Sequence, residues 1–488
     1  MASSRQESQT WDESTHLAAG LSYWKTGDYR MNPEHPPLAK LLCAAPLLFM
    51  NLRLFPEDPV LWETHSQIDF GATFLYRNRL PADAILFPAR CATILLTALF
   101  GLSIALWTRG HFGITAALVA LTMFVFDPNV IAHGRYVTTD IAVSLFSFLA
   151  CIAWGRALTR NTFGSFALAG IALGLALGSK FSALFLIPVF LILALIRRPV
   201  WKYVPVTAAT AVLVLGLLYQ GHLGVFLPGL QDVMNNYSAG RDAYLFGQIS
   251  HNGWWYYFPV AFALKSPAGL LALIAIAAAM ALWKRPKPSF DALILLVSAS
   301  VYLALSLHSK LDLGVRHLLP LYPMLFILTA VALVRYVPKW LTAICLFLLI
   351  LESAAVYPNY LAFFNVLSGG PSQGPRYLLE SNIDWGQDTK KLKKWLEARN
   401  IHDVCGIYFG LAMPVHYGIE GTLLPGKEET LARAALDCVA MASVTPLFGL
   451  YVPHDKYRWL REQTPIAKIG YSIYIYDLRK RKVPILAP

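Results

Sequence analysis

Ten long apolar runs restrict what this 488-residue chain can fold into. Each run has roughly 16 to 22 residues, close to the length that a helix needs to cross a bilayer. Hydrophobic residues make up 56% of the chain and charged residues 14%, whereas a soluble domain carries about 25% charged residues. We therefore predict a polytopic α-helical membrane protein, with helices near 87–107, 112–130, 138–157, 164–179, 181–197, 202–221, 267–284, 290–307, 318–336 and 340–357.

The formal net charge of +12 indicates topology, because the basic residues form short clusters between alternate apolar runs. Excess Lys and Arg marks the cytoplasmic side, which here receives Arg109, Arg156, Arg160, Arg197, Arg198, Lys202, Lys284, Arg285, Lys287, Arg335 and Lys339. The opposite, extracytoplasmic side then receives residues 1–86, the loops 131–137, 222–266 and 308–317, and everything after 358. A basic tract interleaved with aromatic residues is absent from the sequence, so nucleic acid is not a predicted partner.

The chain divides into three parts on this pattern. Residues 1–86 form a first extracytoplasmic loop, with an interfacial helix from Pro37 to about Met50. Residues 87–357 form the transmembrane domain. Residues 358–488 form a small extracytoplasmic α/β or α+β domain. Its predicted helices lie at about 386–399 and 455–463, and its strands at 404–409, 437–443 and 469–476.

Export of residues 1–86 needs a signal that residues 1–10 do not provide, since they contain neither an apolar signal region nor a span. We expect a first transmembrane helix to precede this start in the natural protein. Translocation of an unaided N-terminal tail is the alternative.

Two of the six cysteines lie in a polar region, Cys405 and Cys438. They could form a disulfide if the C-terminal domain faces an oxidising compartment. Packed thiols on neighbouring strands are the alternative.

The candidate chemistry lies in the predicted extracytoplasmic segments. An acidic pair, Asp12-Glu13, is followed by His16, and a second segment runs His35-Pro36-Pro37-Leu38-Ala39-Lys40. Short outer connections add Arg135, Lys180, Lys310, Asp312 and Arg316. Few charges lie on this side, so these are candidates for function.

These motifs, taken in order, resemble a known family. Asp12-Glu13 with His16, the His35 to Lys40 run, Arg90, Arg135 with Asp140, and Gly174-Leu175-Ala176-Leu177-Gly178-Ser179-Lys180 resemble the protein O-mannosyltransferase and aminoarabinose-transferase branch (family 39-like) of the GT-C glycosyltransferases. The likeness covers roughly the first 200 residues. Later motifs look like a bacterial subgroup: Gly253 to Pro259 with Lys265, Gly314-Val315-Arg316-His317, and Ser381 to Asp388.

The resemblance implies a GT-C-like helical bundle, an extracytoplasmic active site and inverting transfer from a polyprenyl-phosphate-linked sugar. Two departures stand out: the first helix is missing, and the C-terminal tail is unlike the lumenal module of the eukaryotic enzymes. The tail leaves the acceptor open between protein Ser/Thr, a lipid and a cell-envelope glycan.

Inverting transfer from a lipid phosphate needs a base for the acceptor hydroxyl and cations for the leaving phosphate. Asp12 is the predicted base, as the resemblance implies, and Glu13 would hold the acceptor or orient a neighbour. Asp12 could instead cap a helix that begins at Glu13. Asp140 would touch the acceptor or fix a cation, or it could be an ordinary first-turn acid behind a Thr cap.

The predicted phosphate ligands are the cations at the membrane rim, together with one histidine. They are Arg90, Arg135, Lys180, Lys265, Arg316 and His317. For each basic group the alternative is a side chain that snorkels to the lipid headgroups. His16, His35 and Glu34 are predicted to contact or orient the acceptor, and a structural histidine is the alternative.

We predict a metal-independent enzyme because the sequence has no Asp-x-Asp pair, although a divalent ion held by Glu13, Asp140 and the donor phosphate stays open. The predicted function is a membrane glycosyltransferase that acts on an extracytoplasmic acceptor. The alternatives are a polyprenyl-lipid flippase, which predicts inverted repeats and broken helices, and a non-catalytic envelope assembly protein. We also predict a cavity between Asp12 and Arg316, open to the outer leaflet.

Overall fold

A computed structural model describes residues 1–54, 60–198 and 201–479. Within this part of the chain, apolar helices occur at all ten predicted segments. Their bounds are Ala82–Phe112, Ile114–Phe126, Asp140–Arg160, Phe163–Leu177, Leu186–Arg197, Val204–Leu218, Ala268–Lys284, Phe290–Ser306, Tyr322–Tyr336 and Lys339–Ala355. Three of them are preceded by 3-10 turns, at Phe181–Phe185, Trp201–Tyr203 and Val315–Leu321.

The described helices differ in length. Four are long and apolar enough to cross a membrane: Ala82–Phe112, Asp140–Arg160, Trp201–Leu218 and Val315–Tyr336. A further pair, Tyr257–Lys265 and Ala268–Lys284, meets the same criteria together but bends by 119° at Ser266 and Pro267. Five shorter apolar helices accompany them. The protein is thus a multi-pass membrane protein, as its composition predicts.

Small residues allow close helix packing inside the bundle, which is typical of membrane proteins. A Cβ added to Gly170 would lie 2.3 Å from the carbonyl oxygen of Thr207, and one added to Gly174 would lie 2.8 Å from that of Ala211. The Phe163–Leu177 helix therefore contacts the Val204–Leu218 helix nearly backbone to backbone. This packing fixes the C-terminal end of the Phe163–Leu177 helix, which Lys180 follows.

The N-terminal region forms a layer of short helices at one end of the bundle. They are Glu13–Thr26, Leu38–Ala44, the 3-10 turn Ala45–Phe49, Val60–Glu63 and Gln67–Tyr76. The predicted interfacial helix thus begins at Leu38, directly after the two prolines. Lys40 is fully buried and donates hydrogen bonds to Tyr23, Asn32 and His35, so it fixes the loop that carries the motif.

Residues between the sixth and seventh apolar helices form an amphipathic helix, Phe226–Ala239, and a two-stranded hairpin. The strands of the hairpin, β1 (Ala243–Leu245) and β2 (Gln248–Ser250), are antiparallel.

The C-terminal domain is built on a mixed five-stranded sheet. Its strands are β3 (Val404–Ile407), β4 (Gly421–Leu423), β5 (Val439–Ser443), β6 (Ala467–Ile469) and β7 (Ile473–Asp477), in the order β4-β3-β5-β7-β6. The β3 strand is parallel to β4 and β5, while β7 is antiparallel to β5 and β6. Cys405, in β3, and Cys438, directly before β5, form a disulfide, with their Cα atoms 5.9 Å apart.

The helices of this domain are shorter than predicted. They are Thr389–Glu397, Thr430–Ala434, Val444–Leu447 and Arg458–Arg461. The helix predicted at about 386–399 begins at Thr389, so Asp384 does not cap it. Asp384 instead accepts a hydrogen bond from the backbone of Thr445, and Asp388 accepts one from Ser472 and pairs with Lys391 at 2.6 Å. The carboxylates of Asp384 and Asp388 therefore make tertiary contacts and do not cap this helix.

Candidate active site

Four charged side chains from distant parts of the sequence meet at one end of the bundle. Arg316 Nη1 lies 3.1 Å from Asp12 Oδ2 and 3.4 Å from Asp140 Oδ2. Lys180 Nζ lies 2.7 Å from Asp140 Oδ1. The four groups form an alternating chain, Asp12–Arg316–Asp140–Lys180, in which the formal charges cancel. We call this chain the central ion-pair cluster.

Each member of the central ion-pair cluster lies at a helix end. Asp12 precedes the Glu13–Thr26 helix, and Asp140 is in the first turn of Asp140–Arg160. Lys180 follows the Phe163–Leu177 helix, and Arg316 is in the 3-10 turn Val315–Leu321. Helices therefore hold the backbones, while the side chains extend beyond the helix ends to meet.

The alternative reading of Asp12 as a helix cap is wrong. Asp12 occupies the N-cap position, but its side chain makes no capping hydrogen bond. The carboxylate contacts Arg316 instead, and 22% of the side chain is exposed, whereas Asp140 is 2% exposed. Among the two carboxylates of the central ion-pair cluster, Asp12 is the one that a ligand can reach.

Glu13 is buried beside Asp12 and has a different environment. Its carboxylate accepts hydrogen bonds from the backbone N–H groups of Thr10 and Val137. It also accepts two from Arg90, at 2.8 Å from Nε and 2.6 Å from Nη2. Both oxygens are therefore occupied inside the protein, which is the geometry of an anchor.

Arg90 uses every donor on protein acceptors. Besides the two bonds to Glu13, its Nη1 donates to the carbonyl oxygens of Ser4 and Glu7, and Nη2 donates to that of Ser8. A guanidinium has five N–H donors, so none is left for a phosphate. Arg90 joins the N-terminal segment to the Ala82–Phe112 helix.

Arg135 lies in a second buried ion pair. Its Nη2 donates to Glu7 Oε1 at 2.8 Å, and Tyr136 donates to the other Glu7 oxygen at 2.9 Å. Arg135 Nε and Nη1 are buried without a hydrogen-bond partner among the described residues. Arg135 therefore keeps donors that a ligand or water could use, unlike Arg90.

Lys265 lies apart from the central ion-pair cluster. It is 1% exposed and donates to the carbonyl oxygens of Leu361 and Asn382, at 2.8 Å and 2.5 Å. These contacts attach the end of the Tyr257–Lys265 helix to the first part of the C-terminal domain.

The predicted histidines surround the central ion-pair cluster. His16 and His35 stack edge to face with ring centroids 5.2 Å apart, and His16 Nδ1 lies 3.0 Å from the carbonyl oxygen of Val137. Burial lowers the pKa of both His16 and His35, so both rings are neutral at pH 7. His317 Nε2 is buried without a hydrogen-bond partner among the described residues.

Glu34 accepts its hydrogen bonds from two side-chain amides. Its Oε1 accepts hydrogen bonds from Asn32 and Gln67, at 2.9 Å and 2.8 Å. These bonds connect the motif loop to the Gln67–Tyr76 helix.

The predicted cavity between Asp12 and Arg316 is replaced by direct contact of the two side chains. A ligand that binds Arg316 Nη1 from this side must therefore compete with Asp12. No group of three His, Cys, Asp or Glu side chains within the described ranges is arranged to hold a metal ion.

Three residues at the site were not predicted from the sequence. Glu7 pairs with Arg135, Lys391 lies 3.9 Å from Glu7, and Trp385 lies under the Arg316 guanidinium at 4.3 Å. The sequence does point to Glu7, because it is an acid only five residues before Asp12 and lies on the same predicted side of the membrane. Trp385 lies in the Ser381 to Asp388 motif, which the sequence singled out without a role in the site, and Lys391 gave no signal, because only the tertiary fold brings the C-terminal domain to the membrane domain.

The fold and this geometry define a class: a multi-pass helical membrane protein with a paired-charge centre at its helix ends. Residues 4–207 match the sequence model of the dolichyl-phosphate-mannose-protein mannosyltransferase family. This part of the chain is thus similar to the family that its motifs, from Asp12 to Lys180, resemble.

Two solved structures are similar to the chain over most of its length. ArnT from Cupriavidus metallidurans bound to undecaprenyl phosphate is 13% identical, with a TM-score of 0.48, over 97% of this chain and 95% of that one. The apo state of the same protein gives 13% identity and a TM-score of 0.47, over 97% and 94%. A comparison with curated protein sequences gives no significant match.

Proposed function

We propose that the protein transfers one sugar, with inversion, from a polyprenyl-phosphate carrier to an acceptor outside the cytoplasm. The observation that carries this proposal is the position of Arg316 between Asp12 and Asp140. Such a centre supplies a base and a phosphate ligand within one contact distance, which transfer from a lipid phosphate requires.

Donor binding would rearrange the central ion-pair cluster. The phosphate of the donor competes with Asp12 for Arg316, and Lys180 supplies a second positive charge. Asp140 stays between the two cations and holds them in place. Exchange of one anion for another keeps Arg316 paired, so the buried guanidinium never loses its partner.

Displaced from Arg316, Asp12 becomes the base. It takes the proton of the acceptor hydroxyl while the acceptor oxygen forms a bond to the anomeric carbon of the sugar. The bond from that carbon to the phosphate oxygen breaks, and its electron pair stays on the lipid phosphate. Arg316 and Lys180 stabilise the charge that develops there.

The other predicted residues take supporting roles in this proposal. Glu13 and Arg90 form the anchor that places Asp12 at the end of its helix. Arg135 holds the N-terminal segment and keeps two donors for a ligand or water. His16 and His35 are neutral and line the acceptor side.

The site is proposed to face the extracytoplasmic side. The basic clusters of the alternate connections lie at the other helix ends, and the Cys405–Cys438 disulfide suits an oxidising compartment. The domain of residues 358–488 would then lie on the same side as the site.

The test is transfer of a labelled sugar from a polyprenyl-phosphate donor by the protein in nanodiscs. Asp12→Asn should abolish transfer while protein abundance and elution volume stay unchanged. Asp232→Asn, at an exposed position of the Phe226–Ala239 helix, is the matched control. Full transfer by Asp12→Asn would remove the proposed base. Movement of the lipid across the bilayer without transfer would instead favour the flippase alternative.

A further inference from the structure

Trp385, in the C-terminal domain, contacts the central ion-pair cluster. The guanidinium carbon of Arg316 lies 4.3 Å from the centroid of its ring. Trp385 is 1% exposed, and its ring packs edge to face with His133 at 5.8 Å and Tyr136 at 6.1 Å. These contacts fix the plane of the indole, so the ring can hold the guanidinium in one orientation.

Arg316 needs such a support. Its Nη1 contacts both carboxylates, while its Nε has no hydrogen-bond partner among the described residues. Once a phosphate displaces Asp12, one of those two contacts is lost. The indole face would then be the contact that keeps the guanidinium fork aimed at the incoming phosphate.

The backbone of the same segment holds the residues before Asp12. Trp11 N donates to the carbonyl oxygen of Trp385 at 3.0 Å, and Ser8 Oγ donates to that of Gly386 at 2.9 Å. Gly386 has φ +88° and approaches Gly410 so closely that a Cβ on Gly410 would lie 2.6 Å from the Gly386 Cα. The turn at Gly386 therefore requires glycine. It fixes the position of Trp385 relative to Asp12 and Arg316.

We propose that Trp385 is a positioning residue for donor binding, acting through the Arg316 guanidinium. The inference rests on the proposed function and deepens it, because it makes the C-terminal domain part of the site for the lipid phosphate. Loss of the indole face should weaken binding of the phosphate more than it slows the chemical step.

The test uses the full-length protein in nanodiscs with undecaprenyl phosphate as the binding probe, and transfer kinetics as a second readout. Trp385→Leu removes the ring, and Trp385→Phe keeps an aromatic face. The matched control is Trp395→Leu, since Arg399 lies over Trp395 at a similar distance, 4.4 Å, and Trp395 packs against the core of the C-terminal sheet. If Trp385→Leu does not fold, Trp385→Met fills the space with a flexible side chain.

We expect Trp385→Leu to weaken undecaprenyl phosphate binding and to raise the donor KM by about tenfold, with a smaller effect on kcat. Trp385→Phe should recover most of the affinity, and Trp395→Leu should bind like the wild type. In an Arg316→Lys background, Trp385→Leu should add little, because the two residues act together.

Two results would overturn the inference alone: normal binding and donor KM in Trp385→Leu, or an equal loss in Trp385→Phe. A wild type that neither binds undecaprenyl phosphate nor transfers sugar would instead overturn the proposed function, and this inference with it.

Discussion

Glu13→Gln should unfold the protein more readily, whereas Asp12→Asn should only inactivate it. Glu13 is fully buried and accepts four hydrogen bonds, two of them from the equally buried Arg90. Removal of one partner from a buried ion pair leaves an uncompensated charge, which costs about 3–5 kcal/mol. Asp12 is partly exposed and makes one 3.1 Å contact, so its replacement costs no more than about 1 kcal/mol.

The assay is the fraction of protein that stays monodisperse in size-exclusion chromatography after heating in detergent, measured beside transfer activity. Glu13→Gln should lose its folded fraction at lower temperature than Asp12→Asn. Adding Arg90→Met to Glu13→Gln should recover part of the loss, since no unpaired charge remains. A Glu13→Gln protein with normal thermal stability and no transfer would show that the pair with Arg90 is not an anchor and would favour a catalytic role for Glu13.

Three further outcomes follow from the structure. Arg316→Lys should lower transfer by about 100-fold, because an ammonium lacks the planar fork that can bind two phosphate oxygens; activity near the wild type would contradict this. Burial lowers the pKa of His133 to about 3, below the value near 6.5 of the unfolded chain, so the wild type should lose stability as the pH falls from 6.5 towards 3. Melting curves of His133→Gln should fall less over that range, while those of the exposed His402→Gln should match the wild type. Cys405→Ser should destabilise the C-terminal domain by about 3–4 kcal/mol, detected by proteolysis, and Cys438→Ser should match it.

The helices of the bundle could be predicted from the sequence because length and hydropathy alone define them. All ten predicted segments contain a helix within the described residues. The meeting of Asp12, Asp140, Lys180 and Arg316 could also be expected, since each lies at a helix end on the side with few charges. For Cys405 and Cys438 the sequence left a disulfide and packed thiols as alternatives, and the structure has the disulfide.

The pairing within the site could not be predicted. Arg90 and Arg135 were assigned to the donor phosphate as free cations, but both are paired inside the protein. Arg90 pairs with Glu13, 77 residues away in sequence, and Arg135 pairs with Glu7, 128 residues away. Ion pairs over such separations depend on tertiary packing, which local patterns do not encode. The start of the Thr389–Glu397 helix was misplaced for the same reason, because tertiary contacts take the side chains of Asp384 and Asp388.

A cryo-EM structure of the protein in nanodiscs with undecaprenyl phosphate would show whether a phosphate replaces Asp12 at Arg316. We expect the phosphate between Arg316 and Lys180, with Asp12 moved out of contact with Arg316. A lipid phosphate bound elsewhere, with the 3.1 Å contact between Asp12 and Arg316 intact, would contradict this expectation.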